Sequence, residues 1–171
     1  MNRLIQDLLD VSSIEEGKFN IVKSYFQATD LITEARTIFE DQMKHAGINF
    51  KTLFLGEDSK VMGDRERLLQ IISNLITNSI KFTPRNGTIE LTIKNEGNRL
   101  YFTVSDTGSG IAKDDLENVF NRFWQGHLMK KGGFGLGLSI VKGIIEAHQG
   151  EVAITSEVGA GTTVKFEIPV I

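Results

Sequence analysis

The sequence contains no cysteine, so disulfide bonds and thiolate chemistry are excluded. Its three histidines lie far apart, at positions 45, 127 and 148, without the spacing of a zinc site. No apolar run is long enough to span a membrane, and no signal peptide is recognisable. The net charge of −3 gives no sign of sequence-independent nucleic-acid binding. We therefore expect a cytoplasmic domain that contacts neither nucleic acid nor a membrane.

The 171 residues, 40% of them hydrophobic, suffice for one domain with a full-sized core. Apolar residues at helical spacing predict helices over 3–16, 29–45, 64–82, 113–123 and 137–148. Alternating residues predict strands over 19–25, 48–55, 88–94, 99–106, 151–156 and 162–169, with a short extended piece at Val61. Several strand pairs are joined by turns too short for a parallel crossover. The fold class is therefore α+β, with a mixed, mostly antiparallel sheet and helices on one face.

The first predicted helix carries an apolar stripe of Leu4, Leu8 and Val11, flanked by Ile5 and Leu9. The stripe begins with the first residues of the chain and has nothing local to pack on. This pattern favours the end of a longer helix or a helix that binds a partner. An ordinary N-terminal helix docked on the core remains the alternative.

The segment 132–138 holds four glycines and leads directly into the last predicted helix. A helix N-terminus presents unpaired N–H groups and a positive dipole end, and glycine lets an anion approach the backbone closely. The segment is therefore a candidate phosphate site, although a glycine cluster taken alone is more often a flexible loop. No Gly-Lys-Ser/Thr follows it, so it is not a Walker loop, and it lacks the context of a dinucleotide-binding fingerprint.

Two further features point to a nucleotide. Gln70, Asn74, Asn78 and Lys81 share one face of the helix 64–82, although a solvated stripe would show the same spacing. Asp106 ends a strand on the face of its buried residues, where a carboxylate is costly unless something donates to it. The amino group of adenine is such a donor, and a plain turn aspartate is the alternative. Together with the glycine segment, these features predict a site for a nucleoside polyphosphate.

Five segments, taken in order, resemble the conserved boxes of sensor histidine kinases. They are 74–84 (NLITNSIKFTP, the N box), 106–111 (DTGSGI, the first glycine box), 120–124 (FNRFW, the F box), 133–138 (GFGLGL, the second glycine box) and 159–163 (GAGTT, the closing glycine box). Residues 7–18 are similar to the end of the dimerisation helix hairpin of that family. The resemblance implies the Bergerat ATP-binding fold, a two-layer α/β sandwich with three helices on one face of the sheet.

The resemblance also implies ATP and Mg²⁺ as ligands and gives each residue a role. Asp106 accepts the adenine amino group, Asn78 binds Mg²⁺, Lys81 contacts phosphate, and Asn74 lies beside the metal site. The remaining assignments to the nucleotide site are Phe82, Gly108, Gly110, Ile111, Gly133, Gly135, Leu136, Gly137, Leu138 and Thr162. At the position of Asn74, hydrolysing members of the wider superfamily carry a glutamate that activates water. Because an amide cannot take a proton, Asn74 favours phosphoryl transfer over hydrolysis.

The family's phosphoacceptor histidine lies on a helix before the segment matched here, and this sequence has no histidine before His45. We therefore expect residues 1–18 to be the end of the dimerisation helix and 19–171 to be the catalytic ATP-binding domain. The implied partners are the phosphoacceptor domain of the same kinase and a response-regulator receiver domain. We expect a monomer or weak dimer that does not phosphorylate itself; membrane anchoring of a full-length protein stays open.

The sequence leaves two alternative functions. One is a serine kinase or stand-alone ATPase of the same fold, against which the segment 7–18 argues. The other is a pseudokinase that docks a protein through Leu4, Leu8 and Val11, against which the intact Asn78 and Asp106 argue. Arg122, Lys130 and Lys131 are candidate cations for the terminal phosphate, with plain solvation as the alternative for the two lysines.

Overall fold

A computed structural model describes residues 2–126 and 134–170. Its helices are α1 (Arg3–Glu15), α2 (Ala28–Ala46), α3 (Arg65–Phe82), α4 (Lys113–Leu116) and α5 (Gly137–Ala147). Its strands are β1 (Ser24–Gln27), β2 (Asn49–Leu55), β3 (Lys60–Gly63), β4 (Thr88–Glu96), β5 (Arg99–Asp106), β6 (Glu151–Glu157) and β7 (Gly161–Pro169). Among the described helices, none is both long and apolar enough to cross a bilayer.

Five strands form one sheet in the order β2-β4-β5-β7-β6. Only the β2–β4 pair is parallel, whereas β4–β5, β5–β7 and β6–β7 are antiparallel. Strands β1 and β3 form a separate antiparallel pair. Side chains alternate between the two faces of a strand, and one face of the large sheet is buried under helices. On that face the rings of Phe102 and Phe166 stack with their centroids 4.3 Å apart. The predicted α+β sandwich is confirmed.

Helix α3 lies at the centre of the core and matches its predicted span closely. The Asp64 side chain caps its first turn by accepting a hydrogen bond from the backbone N–H of Arg67 (3.1 Å). Pro84 follows its last residue closely, as expected of a residue that cannot continue a helix. Ile71, Ile72 and Ile76 of α3 are completely buried. The polar face of the same helix is thereby directed away from the sheet core.

Helix α1 is docked on the rest of the protein. Its Asp10 is 3% exposed and accepts hydrogen bonds from Arg67 Nη1 (3.1 Å) and Gln70 Nε2 (2.7 Å) of α3. Its Ile14 covers Gly143 of α5, where an added Cβ would come within 2.5 Å of the Ile14 side chain. The expectation that this helix has nothing local to pack on is therefore wrong, because α1 is docked on α3 and α5. Its interpretation as the end of a longer helix or as a partner-binding helix stays a prediction. What remains exposed is a narrower strip, formed by Ile5, Leu8 and Leu9.

The predicted helix over 113–123 is also wrong beyond its first turn, because α4 ends at Leu116. Four-residue turns replace it, with the backbone N–H of Asn118 bonded to the Asp115 carbonyl and that of Asn121 bonded to the Asn118 carbonyl. Aspartate and asparagine favour turns over helix interiors. The turns still bury Val119 at 3% exposure, so they satisfy the apolar spacing that suggested a helix.

Two boundaries near the N-terminus differ from prediction. Strand β1 starts at Ser24, later than predicted, and it buries Phe26 while Tyr25 stays exposed. Helix α2 begins at Ala28, one residue before its predicted start. Its first turn is capped from elsewhere in the chain, because Asp58 accepts hydrogen bonds from the backbone N–H (3.2 Å) and hydroxyl (2.8 Å) of Thr29.

Candidate functional site

A pocket of about 380 Å³ opens between α3, the start of α5 and the end of β5. Most of the residues assigned to the nucleotide site line this one pocket. They are Asn74, Asn78, Lys81, Phe82, Asp106, Gly110, Ile111, Gly135, Leu136, Gly137, Leu138 and Thr162. Gly108 lies behind the wall, against Phe82 and Asp106, and Gly133 lies outside the described residues. Assigned residues up to 88 positions apart in the sequence, from Asn74 to Thr162, therefore share one cavity.

The Asp106 carboxylate is fixed in the pocket wall by three hydrogen bonds. Its Oδ1 accepts from the backbone N–H groups of Gly108 (2.9 Å) and Thr162 (3.3 Å). Its Oδ2 accepts from the hydroxyl of Ser79 on α3 (2.9 Å). An ionised carboxylate has about four lone-pair positions, so capacity for a further donor remains on Oδ2. Asp106 is thus a rigid acceptor with room for a ligand N–H group.

The two glycines after Asp106 are required by the protein itself. A Cβ at Gly108 would lie 2.7 Å from the Phe82 carbonyl oxygen. Gly110 has a φ of +72°, and a Cβ there would lie 2.0 Å from the carbonyl oxygen of Glu157. Close approach of backbone to backbone therefore explains both glycines, in addition to any approach of a ligand.

On α3, the three polar residues assigned to the site differ in their surroundings. Asn74 is 5% exposed, with its Oδ1 bonded to Arg3 Nη2 (2.8 Å) and its Nδ2 bonded to the Gly137 carbonyl (3.4 Å). Asn78 and Lys81 are half-buried and reach the pocket one and two turns further along the helix. These three residues therefore line a pocket wall and not a solvated surface, whereas Gln70, the first residue of the predicted stripe, donates a hydrogen bond to Asp10 of α1.

Gly137 opens α5 at the edge of the pocket, and the space beside it is open. The nearest atom to a Cβ built there would be Asn74 Cγ, at 3.9 Å. Protein packing thus does not require glycine at this position, unlike at Gly110. A helix start without a side chain suits a phosphate site, because the first N–H groups of a helix have no partner within the helix.

Helix α1 adds residues that sequence reasoning did not assign to the site. Asn2, Arg3, Leu4 and Asp7 also line the pocket. Burial raises the pKa of Asp7, an effect that Arg3 opposes and Asp10 reinforces. Ser79 was not assigned from the sequence either, although its hydroxyl donates to Asp106 Oδ2. Its available signal was a small hydroxyl residue on the helix that carries Asn78 and Phe82.

Of the cations considered for the terminal phosphate, Arg122 forms an ion pair with Glu15 of α1. Lys130 and Lys131 lie outside the described residues. His148 ends α5 as a structural residue, with Nδ1 2.8 Å from the Ile144 carbonyl oxygen.

The side chains present can be compared with the ligands that Mg²⁺ takes in proteins. Within residues 2–126 and 134–170, no group of three or more His, Cys, Asp or Glu side chains could hold a metal ion. Asn78 offers an amide oxygen in the pocket. Because Mg²⁺ keeps several waters and is usually bound through one or two side chains plus substrate phosphates, this set fits the ion only together with a nucleotide.

Comparison with known proteins agrees with this geometry. Residues 63–171 match the family described as histidine kinase-, DNA gyrase B-, and HSP90-like ATPases. The chain is 37% identical over 170 residues to the histidine protein kinase DivJ of Caulobacter vibrioides, a match that covers 98% of this chain and 28% of DivJ. The first curated relatives are all much longer, and the chain spans only 20% to 32% of their lengths.

Solved structures show the same likeness. The catalytic domain of histidine kinase ThkA is 31% identical with a TM-score of 0.76, over 86% of this chain and 97% of that domain. ThkA in complex with the response regulator protein TrrA is 28% identical with a TM-score of 0.77, over 99% of this chain and 49% of the matched chain. The chain therefore belongs to the family of histidine kinase-, DNA gyrase B- and HSP90-like ATPases, and it is a catalytic ATP-binding domain of the sensor histidine kinase type.

Proposed function

We propose that this domain binds ATP with Mg²⁺ and transfers the γ-phosphoryl group to a histidine of a phosphoacceptor helix. The observation that supports this most strongly is the hydrogen bonding of the Asp106 carboxylate. Its carboxylate is held by Gly108, Ser79 and Thr162 and keeps an acceptor position facing the pocket. Such an acceptor suits the amino group of adenine and disfavours guanine, which has a carbonyl oxygen at the equivalent position.

At the other end of the pocket, the residues suit phosphate. The open backbone at Gly137, together with Gly135 and the start of α5, offers N–H donors and a positive helix end. Lys81 adds positive charge, and Asn78 supplies a ligand oxygen for Mg²⁺. When bound, Mg²⁺ would neutralise phosphate charge. Phe82, Ile111, Leu136, Leu138 and Thr162 complete the pocket wall. The protein contributes mainly by positioning and charge stabilisation, as is general in phosphoryl transfer.

Transfer is proposed over hydrolysis because of Asn74. Its amide cannot accept a proton from water, and both of its ends are already bonded, to Arg3 and to Gly137.

We further propose that the acceptor histidine is not on this chain. Of the three histidines, His148 is 2% exposed, His45 is exposed on α2 with Nδ1 2.7 Å from the Asp41 carbonyl oxygen, and His127 lies outside the described residues. Residues 1–18 would then be the end of a dimerisation helix and 19–171 the catalytic domain, in a cytoplasmic part of the protein. The ThkA–TrrA complex supports a receiver domain as the downstream partner.

The experiment is a labelling assay with γ-³²P-ATP and Mg²⁺, with and without a separate helical hairpin carrying the acceptor histidine of a sensor histidine kinase. We expect acid-labile, base-stable label on the hairpin and none on this chain. Acid-stable label on serine or threonine would contradict histidine transfer and favour a serine kinase. Acid-labile label on this chain alone would contradict the placement of the acceptor.

A further inference from the structure

The nucleotide pocket is crossed by a hydrogen-bond chain that joins three helices. Arg3 of α1 donates to Asn74 Oδ1 on α3 at 2.8 Å, and Asn74 Nδ2 donates to the Gly137 carbonyl of α5 at 3.4 Å. An arginine side chain has only donors, so the amide oxygen of Asn74 must face Arg3. The amide nitrogen therefore faces Gly137, and Arg3 fixes the orientation of the whole group.

This orientation matters because Asn74 is 5% exposed. A buried amide needs partners at both ends, and loss of one partner either leaves an unsatisfied group or makes the amide turn. If Asn74 turned, its oxygen would face the Gly137 carbonyl oxygen and repel it. Gly137 is the first residue of α5, and Asn78, the proposed ligand of Mg²⁺, lies one turn beyond Asn74 on α3. The amide thus sets the relative position of the two helix segments at the phosphate end of the pocket.

The helix that delivers Arg3 is firmly attached. Asp10 of α1 is buried against Arg67 and Gln70, and Ile14 occupies the space left by the missing side chain of Gly143. Because α1 is held at its middle and its end, Arg3 at its start meets Asn74 in a defined geometry. The contact of Arg3 with Asn74 could not be predicted from the sequence, since 71 positions separate the two residues.

We propose that Arg3 is a positioning residue of the nucleotide site, which acts through Asn74 to hold the start of α5 in its phosphate-binding position. Nucleotide affinity then depends on the docked first helix, and by linkage a bound nucleotide stabilises that docking by the same factor. This proposal rests on the proposed function, because it assumes that the pocket binds ATP.

The test is a double-mutant cycle on the binding of Mg²⁺ and AMP-PNP, a non-hydrolysable ATP analogue, measured by calorimetry. We expect Arg3→Ala to weaken binding about tenfold, as the loss of one charge-assisted hydrogen bond would. Arg3→Lys, which keeps a donor, should stay within about twofold of the wild type. In the Asn74→Ala background, Arg3→Ala should have no further effect.

Lys18→Ala is the matched control, because it removes the same charge just beyond α1 at a side chain that is 76% exposed. It should leave affinity unchanged. Equal losses for Arg3→Ala with and without Asn74 would overturn the proposal in favour of direct contact with phosphate, and unchanged or tighter binding by Arg3→Ala would overturn it outright. A wild type that binds no nucleotide would instead contradict the proposed function, while loss only in the Arg3 variant leaves that function standing.

Discussion

Replacing Asp10 by alanine tests whether α1 is clamped to the catalytic domain. The Asp10 carboxylate is 3% exposed and accepts from Arg67 Nη1 at 3.1 and 3.2 Å, from Gln70 Nε2 at 2.7 Å and from Gln6 Nε2 at 3.3 Å. Removing one partner of a buried ion pair costs about 3 to 5 kcal/mol. The loss should lie near the lower end, because the Arg67 side chain is 28% exposed and keeps contacts with Gln70 and with the Phe19 ring.

We therefore expect Asp10→Ala to lower the free energy of unfolding by about 3 kcal/mol, measured by urea denaturation followed by circular dichroism. For a domain of this size, that corresponds to a fall in Tm of roughly 6 to 12 °C. If α1 can detach from the folded domain at a smaller free-energy cost, the loss of stability is limited to the free energy with which α1 docks. Glu16→Ala is the control, since the Glu16 side chain is 53% exposed in its pair with Lys18 and should contribute less than about 1 kcal/mol. Equal losses of unfolding free energy in the two variants would contradict the attachment of α1 through Asp10.

Three further predictions concern other parts of the fold. Gly143→Leu should weaken the docking of α1, because even a Cβ at Gly143 would meet the Ile14 side chain at 2.5 Å; limited proteolysis should then cleave α1 faster than in the wild type. Gly110→Ala should destabilise the protein by at least about 1 kcal/mol more than Gly159→Ala in urea denaturation, because both glycines have positive φ but only Gly110 is crowded by a carbonyl oxygen. The free energy of unfolding should fall as pH drops below about 6.5, because burial lowers the pKa of His148 and the unfolded chain binds the proton more readily. Urea denaturation at several pH values measures this dependence, and His148→Gln should flatten it.

The sign of the His148 effect follows from its surroundings. The ring is 2% exposed, and its Nε2 has no hydrogen-bond partner within the described part of the chain. Burial lowers its pKa most strongly, the Ile144 carbonyl and Asp64 oppose that effect, and Lys23 adds to it. The folded protein therefore binds a proton at His148 less readily than the unfolded chain does. The contribution of His148 is present above the unfolded pKa and is lost as pH falls towards the folded pKa.

Elements defined by local signals could be predicted from the sequence. Asp64 and Pro84 mark the ends of α3, and Gly47 ends α2 with a φ of +67°. The period-two alternation of β5 placed Asp106 on the face of Phe102 and Val104, which the structure confirms through its contact with Ser79 on α3. These signals depend on neighbours in the chain, so no tertiary information was needed.

Features that depend on distant contacts could not be predicted. The first turn of α2 is capped by Asp58, 29 residues from Thr29, and not by a residue of its own. The N-terminal stripe gave no sign that Ile14 packs against Gly143, or that Asp10 pairs with Arg67. In the segment after α4, short turns satisfied the same apolar spacing as a helix, so spacing alone could not separate the two.

The most direct test of the nucleotide site is calorimetric titration of Mg²⁺ and AMP-PNP into the wild type and Asp106→Asn. The variant should stay folded, because its amide oxygen can accept from Gly108 and Thr162 while its NH₂ group donates to the Ser79 hydroxyl. The position that would accept the adenine amino group then carries a donor, so we expect affinity to fall at least about 100-fold. Equal affinity of the two proteins would contradict the role of Asp106, and absence of binding by the wild type would contradict the nucleotide pocket itself.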